Sequence, residues 1–251
     1  MPKAVQIENF SYDYPDGTRA LADITLSIAH GEKVAIIGPN GAGKSTLLLA
    51  MSVFLKGTGK ITIDGIEASA KNAKKIRRQL GLVMQNPDEQ LFMPTLFDDV
   101  AFGPMNMGLS EDEVKKRTAE ALKTVGLEGM EAKPPHHLSG GQKRSAAIAT
   151  ILSMNPKIIT MDEPEADLDP RTRNNLTALL KSLSQTLIIA TCNMNFAAGL
   201  CERAVLIDQG KIIADGDATR IMGDSNLMQT HGLEVPAVYQ AGIIDRRSKK
   251  E

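Results

Sequence analysis

Gly38-Pro39-Asn40-Gly41-Ala42-Gly43-Lys44-Ser45 limits what this chain can fold into more than any other stretch. It fits G-x-x-x-x-G-K-[ST], with the apolar run Val34-Ala35-Ile36-Ile37 before it and the helix-like Thr46-Leu47-Leu48-Leu49-Ala50-Met51 after it. A strand that passes through such a loop straight into a helix points backbone N–H groups and the positive helix end at one spot, which makes an anion site. The glycines let the amides turn inward around phosphate oxygens. Lys44 is placed to reach β and γ phosphates, and the Ser45 hydroxyl to ligate Mg²⁺.

The surrounding pattern predicts an α/β fold around a mainly parallel sheet. Val34–Ile37, Ile158-Ile159-Thr160-Met161 and Leu187-Ile188-Ile189-Ala190 are short apolar runs, the mark of strands covered on both faces. Val5 and Ile7, then Ile24, Leu26 and Ile28, and Ile61 and Ile63 before Asp64-Gly65 instead alternate with polar or small residues, which predicts an N-terminal antiparallel β subdomain. Ser110 with Glu113, and Ser139 with Gln142, have capping-box spacing for two helix starts. Asp169-Pro170 predicts a third helix, with Leu176, Leu179, Leu180 and Leu183 on its apolar face. Residues 86–155 read as an inserted helical subdomain, 1–222 as one domain containing it, and 223–251 as a short C-terminal extension. In that extension Leu227, Leu233, Val235 and Val238 are candidates for packing on the core or on a second chain.

A phosphate loop that handles a triphosphate needs carboxylates at a neighbouring strand end, and Met161-Asp162-Glu163 supplies two. Asp162 is the expected metal-side ligand. Glu163, one residue further, is placed to polarise an attacking water as general base. Leu138-Ser139-Gly140-Gly141-Gln142 adds a capped helix start with two glycines, a second anion site separate from the first.

This last motif resembles the signature of ABC ATPases, the ATP-binding cassettes that power membrane transporters, and the match extends over about residues 4–218. The resemblance implies the P-loop NTPase core of the ABC ATPase fold, ATP and Mg²⁺ as ligands, and hydrolysis of ATP. It implies a head-to-tail dimer with a second ABC ATPase subunit, identical or related, in which each ATP lies between one chain's Gly38–Thr46 and the other's Ser139–Gln142. Tyr14 looks like the adenine-stacking aromatic, Gln85 like the glutamine that senses metal and transporter, and Asp169 like the aspartate of the dimer-contact loop. Gln85-Asn86-Pro87-Asp88-Glu89-Gln90-Leu91-Phe92, Asp99-Val100-Ala101-Phe102-Gly103-Pro104 and Pro134-Pro135-His136-His137-Leu138 are similar to the ATPases of cobalt/nickel and energy-coupling-factor importers. That branch implies a transmembrane coupling protein docked near Gln85 and a peripheral place on the cytoplasmic side of the membrane. A soluble ABC ATPase of assembly or repair, and a regulatory subunit that binds ATP and scarcely hydrolyses it, are the alternatives.

Three positions depart from the pattern. Thr191-Cys192-Asn193 stands where the family usually has Thr-His-Asp, so Cys192 occupies the place of the histidine that contacts the γ-phosphate. A thiol is a weak donor and carries no imidazolium charge, and loss of one such donor slows a reaction about a hundredfold to a thousandfold. Glu165 replaces a usual threonine, and Ser145 a usual arginine. The expectation is a slow P-loop site in this chain, paired with a different subunit whose faster site its own signature completes.

Composition removes other classes. A formal net charge of −1 lacks the basic footprint of a nucleic-acid binder. Cys192 and Cys201 are too few for a disulfide framework and are expected as free thiols. No run of about 18 apolar residues offers a membrane span, and Met1-Pro2-Lys3 opens no signal-like stretch. His136 and His137 are not expected to bind metal, because adjacent side chains point apart in most backbones. The Arg246-Arg247-Ser248-Lys249-Lys250-Glu251 tail is read as solvated.

Overall fold

A computed structural model describes residues 3–240, so Met1, Pro2 and the 246–251 tail lie outside the described residues. The chain begins with β1 (Lys3–Asp13), β2 (Arg19–Ala29), β3 (Lys33–Ile37), α1 (Lys44–Met51), β4 (Thr58–Ile63), β5 (Ile66–Glu67), α2 (Ala73–Gln79) and β6 (Leu80–Val83). Three helices follow, α3 (Leu96–Asn106), α4 (Glu111–Thr124) and α5 (Gly140–Leu152). The chain then returns through β7 (Ile158–Asp162), α6 (Pro170–Ser182), β8 (Thr186–Thr191), α7 (Met194–Leu200), β9 (Arg203–Asp208), β10 (Lys211–Asp217), α8 (Ala218–Met222) and α9 (Ser225–Thr230).

Two sheets result. The main one has the order β10-β9-β3-β8-β7-β6, parallel throughout except for β10, which runs against β9. The smaller is antiparallel, β2-β1-β4-β5, with Val5 opposite Ile63 and Ile7 opposite Ile61. Its β4-β5 hairpin turns on Asp64 and Gly65, both at positive φ (48° and 76°), as a two-residue hairpin of this hand requires. β5, β6, β9 and β10 are additions to the strands expected from the sequence.

The period of two explains why the apolar runs are buried on both sides. Val34 and Ile36 of β3, with Ile188 and Ala190 of β8, face a cluster formed by α1 and the antiparallel sheet. Ala35, Ile37, Leu187 and Ile189 face the opposite cluster, with α5, α6 and α7. In α6, Leu176 and Leu180 are buried there, while Leu179 and Leu183 pack partly against it.

α5 belongs to two cores. Ala147, Ile148 and Ile151 join the sheet cluster, whereas Ala146 and Ala149 join a third cluster with Leu91, Leu96, Val100, Ala121, Leu122, Leu127 and Leu138 from the helical insertion. Each buried Ile or Leu contributes about 1.5–3 kcal/mol. The insertion therefore has a core of its own, and α5 ties it to the sheet.

Several local expectations are refined. Ser139 and Gln142 form a complete capping box. Ser110 caps α4 through the Glu113 amide, yet the Glu113 carboxylate accepts from Arg117 at 2.7 Å, one turn along its own helix, which leaves half of the expected box. His136 and His137 do not point apart: a 3₁₀ turn over Pro135–His137 brings their rings edge to face at 4.3 Å. No metal-holding cluster of His, Cys, Asp and Glu occurs among the described residues. Beyond α8, Leu233 is buried and Leu227 and Val235 pack on the sheet cluster, whereas Val238 remains exposed. The His231 ring meets Asp208 at 2.7 Å and ties the end of α9 to the end of β9.

Candidate active site

The loop between β3 and α1 is wedged against its neighbours. A Cβ on Gly38 would lie 2.0 Å from the Ile207 carbonyl oxygen of β9, so only glycine allows β9 to approach so closely. The Gly210 amide donates to the Ala42 carbonyl at 3.0 Å and braces the loop from the β9-β10 turn. Lys44 is buried, and its ammonium donates to the Gly38 and Pro39 carbonyls at 2.8 and 2.9 Å. Burial lowers its pKa, opposed by the charges of Glu163, Cys192 and Asp162. A cation held in the loop by two carbonyls is poised to exchange them for phosphate oxygens.

β7 delivers the carboxylates. Burial raises the pKa of Asp162, with the nearby Ser45 hydroxyl opposing it, and its Oδ1 is buried with no hydrogen-bond partner. An orphaned carboxylate oxygen beside a hydroxyl is the hard donor pair that Mg²⁺ takes, so these residues fit that ion. Glu163 sits at φ 43°, a sparsely populated conformation for a non-glycine residue, and its amide is fixed to the Ala190 carbonyl at 2.8 Å. Gln85 donates from Nε2 to Glu163 Oε2 at 3.0 Å. Cys192, an exposed free thiol, also faces Glu163: burial, then that carboxylate, pushes its pKa up. The fold thus brings Lys44, Ser45, Gln85, Asp162, Glu163 and Cys192 together.

Tyr14 stands at the rim. Its hydroxyl shares a 2.9 Å hydrogen bond with Thr46, its ring packs edge to face on Tyr12, and it is 37% exposed. An aromatic face is thereby available beside the start of α1.

Ser139, Gly140, Gly141 and Gln142 form a second group, at the start of α5. Ser139, Gly141 and Gln142 line a cleft of about 450 Å³ with Leu168, Thr172 and Leu176. Thr172 lies under Gly141, where an added Cβ would come within 2.8 Å of its methyl. It also donates to Asp169, which caps α6 through the Arg171 and Thr172 amides. The Thr172 hydroxyl and amide hold the Asp169 carboxyl below its ordinary range. Gly140 differs, since a Cβ there would meet nothing within 4 Å.

Residues that local motifs did not single out support the site. Gln90 accepts from the Met84 amide and donates to the Ala147 carbonyl, linking the Gln85 segment to α5. Arg144 is buried, and it shares the i, i+3, i+4, i+7 stripe with Ala147, Ile148 and Ile151. A charged residue on an apolar stripe was the available signal.

A phosphate loop, an Asp-Glu pair at the adjacent strand end and a glutamine on the glutamate define a P-loop nucleoside-triphosphatase site. The sequence profile of the family described as ABC transporter matches residues 21–166, more than half of the chain. This chain belongs to the ABC transporter family, in its ATP-binding, ATP-hydrolysing cassettes. It is 45% identical over 238 residues to the energy-coupling factor transporter ATP-binding protein EcfA of Methanothermobacter thermautotrophicus, spanning 92% of this chain and 76% of that protein. Its fold matches cbiO1 of Clostridium perfringens, part of the ABC transporter complex cbiONQ, with TM-score 0.82 and 38% identity over 96% of this chain and 99% of that one. It also matches the ATP-binding cassette MJ0796, seen as a dimer in a post-hydrolysis state with ADP and phosphate, with TM-score 0.77 and 33% identity over 85% and 98%.

Proposed function

We propose that this chain is the ATPase subunit of a cobalt/nickel or energy-coupling-factor type importer, peripheral on the cytoplasmic face of the membrane and active as a head-to-tail dimer. The carrying observation is the division of the anion sites: the P-loop is closed by contacts within the chain, while Gly140 presents an uncovered helix start. A helix N-terminus without a side chain in the way suits the close approach of a phosphate held by another subunit. In this reading Gly38–Thr46 hold the triphosphate, Tyr14 stacks on adenine, and Ser139–Gln142 and Asp169 engage the partner's nucleotide and chain.

Ser45, Asp162 and Gln85 would hold Mg²⁺, which would supply charge neutralisation on the triphosphate. Lys44 binds the same phosphates. Glu163 takes a proton from the attacking water, and Gln85 leaves it to orient that water. Cys192 gives the γ-phosphate a weak, uncharged donor, so this chain's own site is slow and its signature serves a faster site on a related partner. The same substitution favours a second reading, a subunit that closes on ATP and regulates more than it hydrolyses.

Docking to a transmembrane coupling protein is supported by apolar surface on the segment and helix that follow Gln85 in the chain. Phe92 and Met105 are each 63% exposed, and Phe92 packs edge to face on Phe102 at 5.2 Å. No helix is long and apolar enough to cross a membrane among the described residues, so attachment runs through such a surface.

The test is the mass of purified Glu163→Gln, which binds ATP without clearing it. With Mg-ATP it runs as a dimer by light scattering, and with Gly140 also changed to Arg it stays monomeric. A Glu163→Gln chain that stays monomeric at saturating Mg-ATP, alone and mixed with a related subunit, contradicts the proposal.

A further inference from the structure

Two charged side chains behind the site have no part in the roles above. Arg144 is 5% exposed and Glu165 is 4% exposed. Such groups are costly to bury unless paired or fully hydrogen-bonded. Arg144 Nη1 donates to the Met84 carbonyl at 3.0 Å, immediately before Gln85. Glu165 accepts from the Thr191 hydroxyl, which in turn accepts from the Asn193 amide at 2.8 Å, so the carboxylate grips both sides of Cys192. Each also has a buried atom without a partner, Arg144 Nε and Glu165 Oε2.

We propose that Arg144 and Glu165 are positioning residues: Arg144 fixes the Gln85 segment through the Met84 carbonyl, Glu165 fixes the Thr191-Cys192-Asn193 turn, and the two together set both against Glu163. Burial lowers the Arg144 pKa, and the charges of Glu165, Asp167, Asp162 and Glu163 oppose it. Burial raises the Glu165 pKa, with the Thr191 hydrogen bond and Arg144 opposing it. α5 carries the signature at its start and Arg144 one turn in, so a shift of α5 reaches the Gln85 segment without passing through nucleotide. The inference rests on Gln85 and Cys192 belonging to the site, as proposed above.

Cys192 provides the probe. The chain has two thiols: Cys192 is exposed, and Cys201 is buried with its pKa pushed up to about 12. Reaction of the full chain with dithiobis(nitrobenzoate), followed against pH without nucleotide, therefore reads Cys192 alone. Glu165→Ala, which frees Thr191, is expected to raise the rate at least fivefold and lower the thiol's apparent pKa. Glu165→Gln, which retains an acceptor for Thr191, stays within threefold of wild type. Arg144→Met, which releases the Met84 carbonyl, raises the rate at least threefold, whereas Arg144→Lys, which retains a donor for it, stays within twofold of wild type.

The proposal is overturned if Glu165→Ala and Arg144→Met leave rate and pH midpoint at wild-type values. Should Glu165→Ala fail to fold, Arg144→Met against Arg144→Lys decides alone, and equal rates in the two overturn it. Because the readout uses no ATP, a chain that neither dimerises nor hydrolyses sinks the functional reading while leaving this result to stand or fall separately.

Discussion

The two anion sites proposed for this chain are built in opposite ways. The loop at Gly38–Ser45 is closed by its own protein: β9 presses on Gly38, Gly210 holds Ala42, and two carbonyls hold Lys44. The signature at Ser139–Gln142 is rigid, through its capping box, yet open at Gly140. Closed contacts make the first glycine a requirement of folding. The second has no steric reason within the chain, so its value lies in what approaches from outside.

That contrast can be broken by substitution. Gly140→Ala should lower Mg-ATP turnover about a hundredfold, because the added methyl keeps a phosphate from the helix-start amides and so forfeits the equivalent of one donor to a developing charge. Its melting temperature should not fall, because alanine replaces glycine in a helix with a gain of about 0.5–1 kcal/mol. Gly38→Ala should do the reverse to the fold, costing about 1–3 kcal/mol or more by overpacking against Ile207, read as a lower urea midpoint. Equal loss of stability in both variants would remove the distinction.

A smaller effect concerns Asp162, whose pKa burial raises. A carboxyl with a folded pKa above its unfolded value adds stability at low pH that is lost as pH rises through the folded value. Asp162→Asn is therefore expected to be more stable than wild type at pH 7, with the gap closing towards pH 4, in urea titrations without Mg²⁺. Saturating Mg-ATP should reverse the order at pH 7, since the wild type then gains a ligand the variant binds less well.

How far the sequence reaches follows from the same contrast. Local chemistry was legible: the apolar runs of β3, β7 and β8, the Asp64-Gly65 turn, the caps at Ser139 and Asp169, and the loop residues from Gly38 to Ser45. Non-local partnerships were not. Nothing near Gly38 in the chain announces Ile207, and nothing near Glu165 announces Thr191. Glu113 shows the limit of motif spacing, because Arg117, one turn on, competes for its carboxylate with the amide that the capping box would give it. For His136 and His137 a 3₁₀ turn, which side-chain alternation does not foresee, sets the rings face to edge. Residue roles at Tyr14, Gln85 and Cys192 came from resemblance; the structure adds the hydrogen bond from Gln85 to Glu163 and the thiol facing the same carboxylate.

The central claim, that an intact P-loop is paired with a weakened switch position, is tested most directly by steady-state Mg-ATP hydrolysis of the purified chain beside Cys192→His. A slow wild type, at least tenfold accelerated by histidine, is the predicted result. A wild type as fast as histidine-bearing relatives, with Cys192→His changing nothing, would contradict it and make the chain a self-sufficient homodimer.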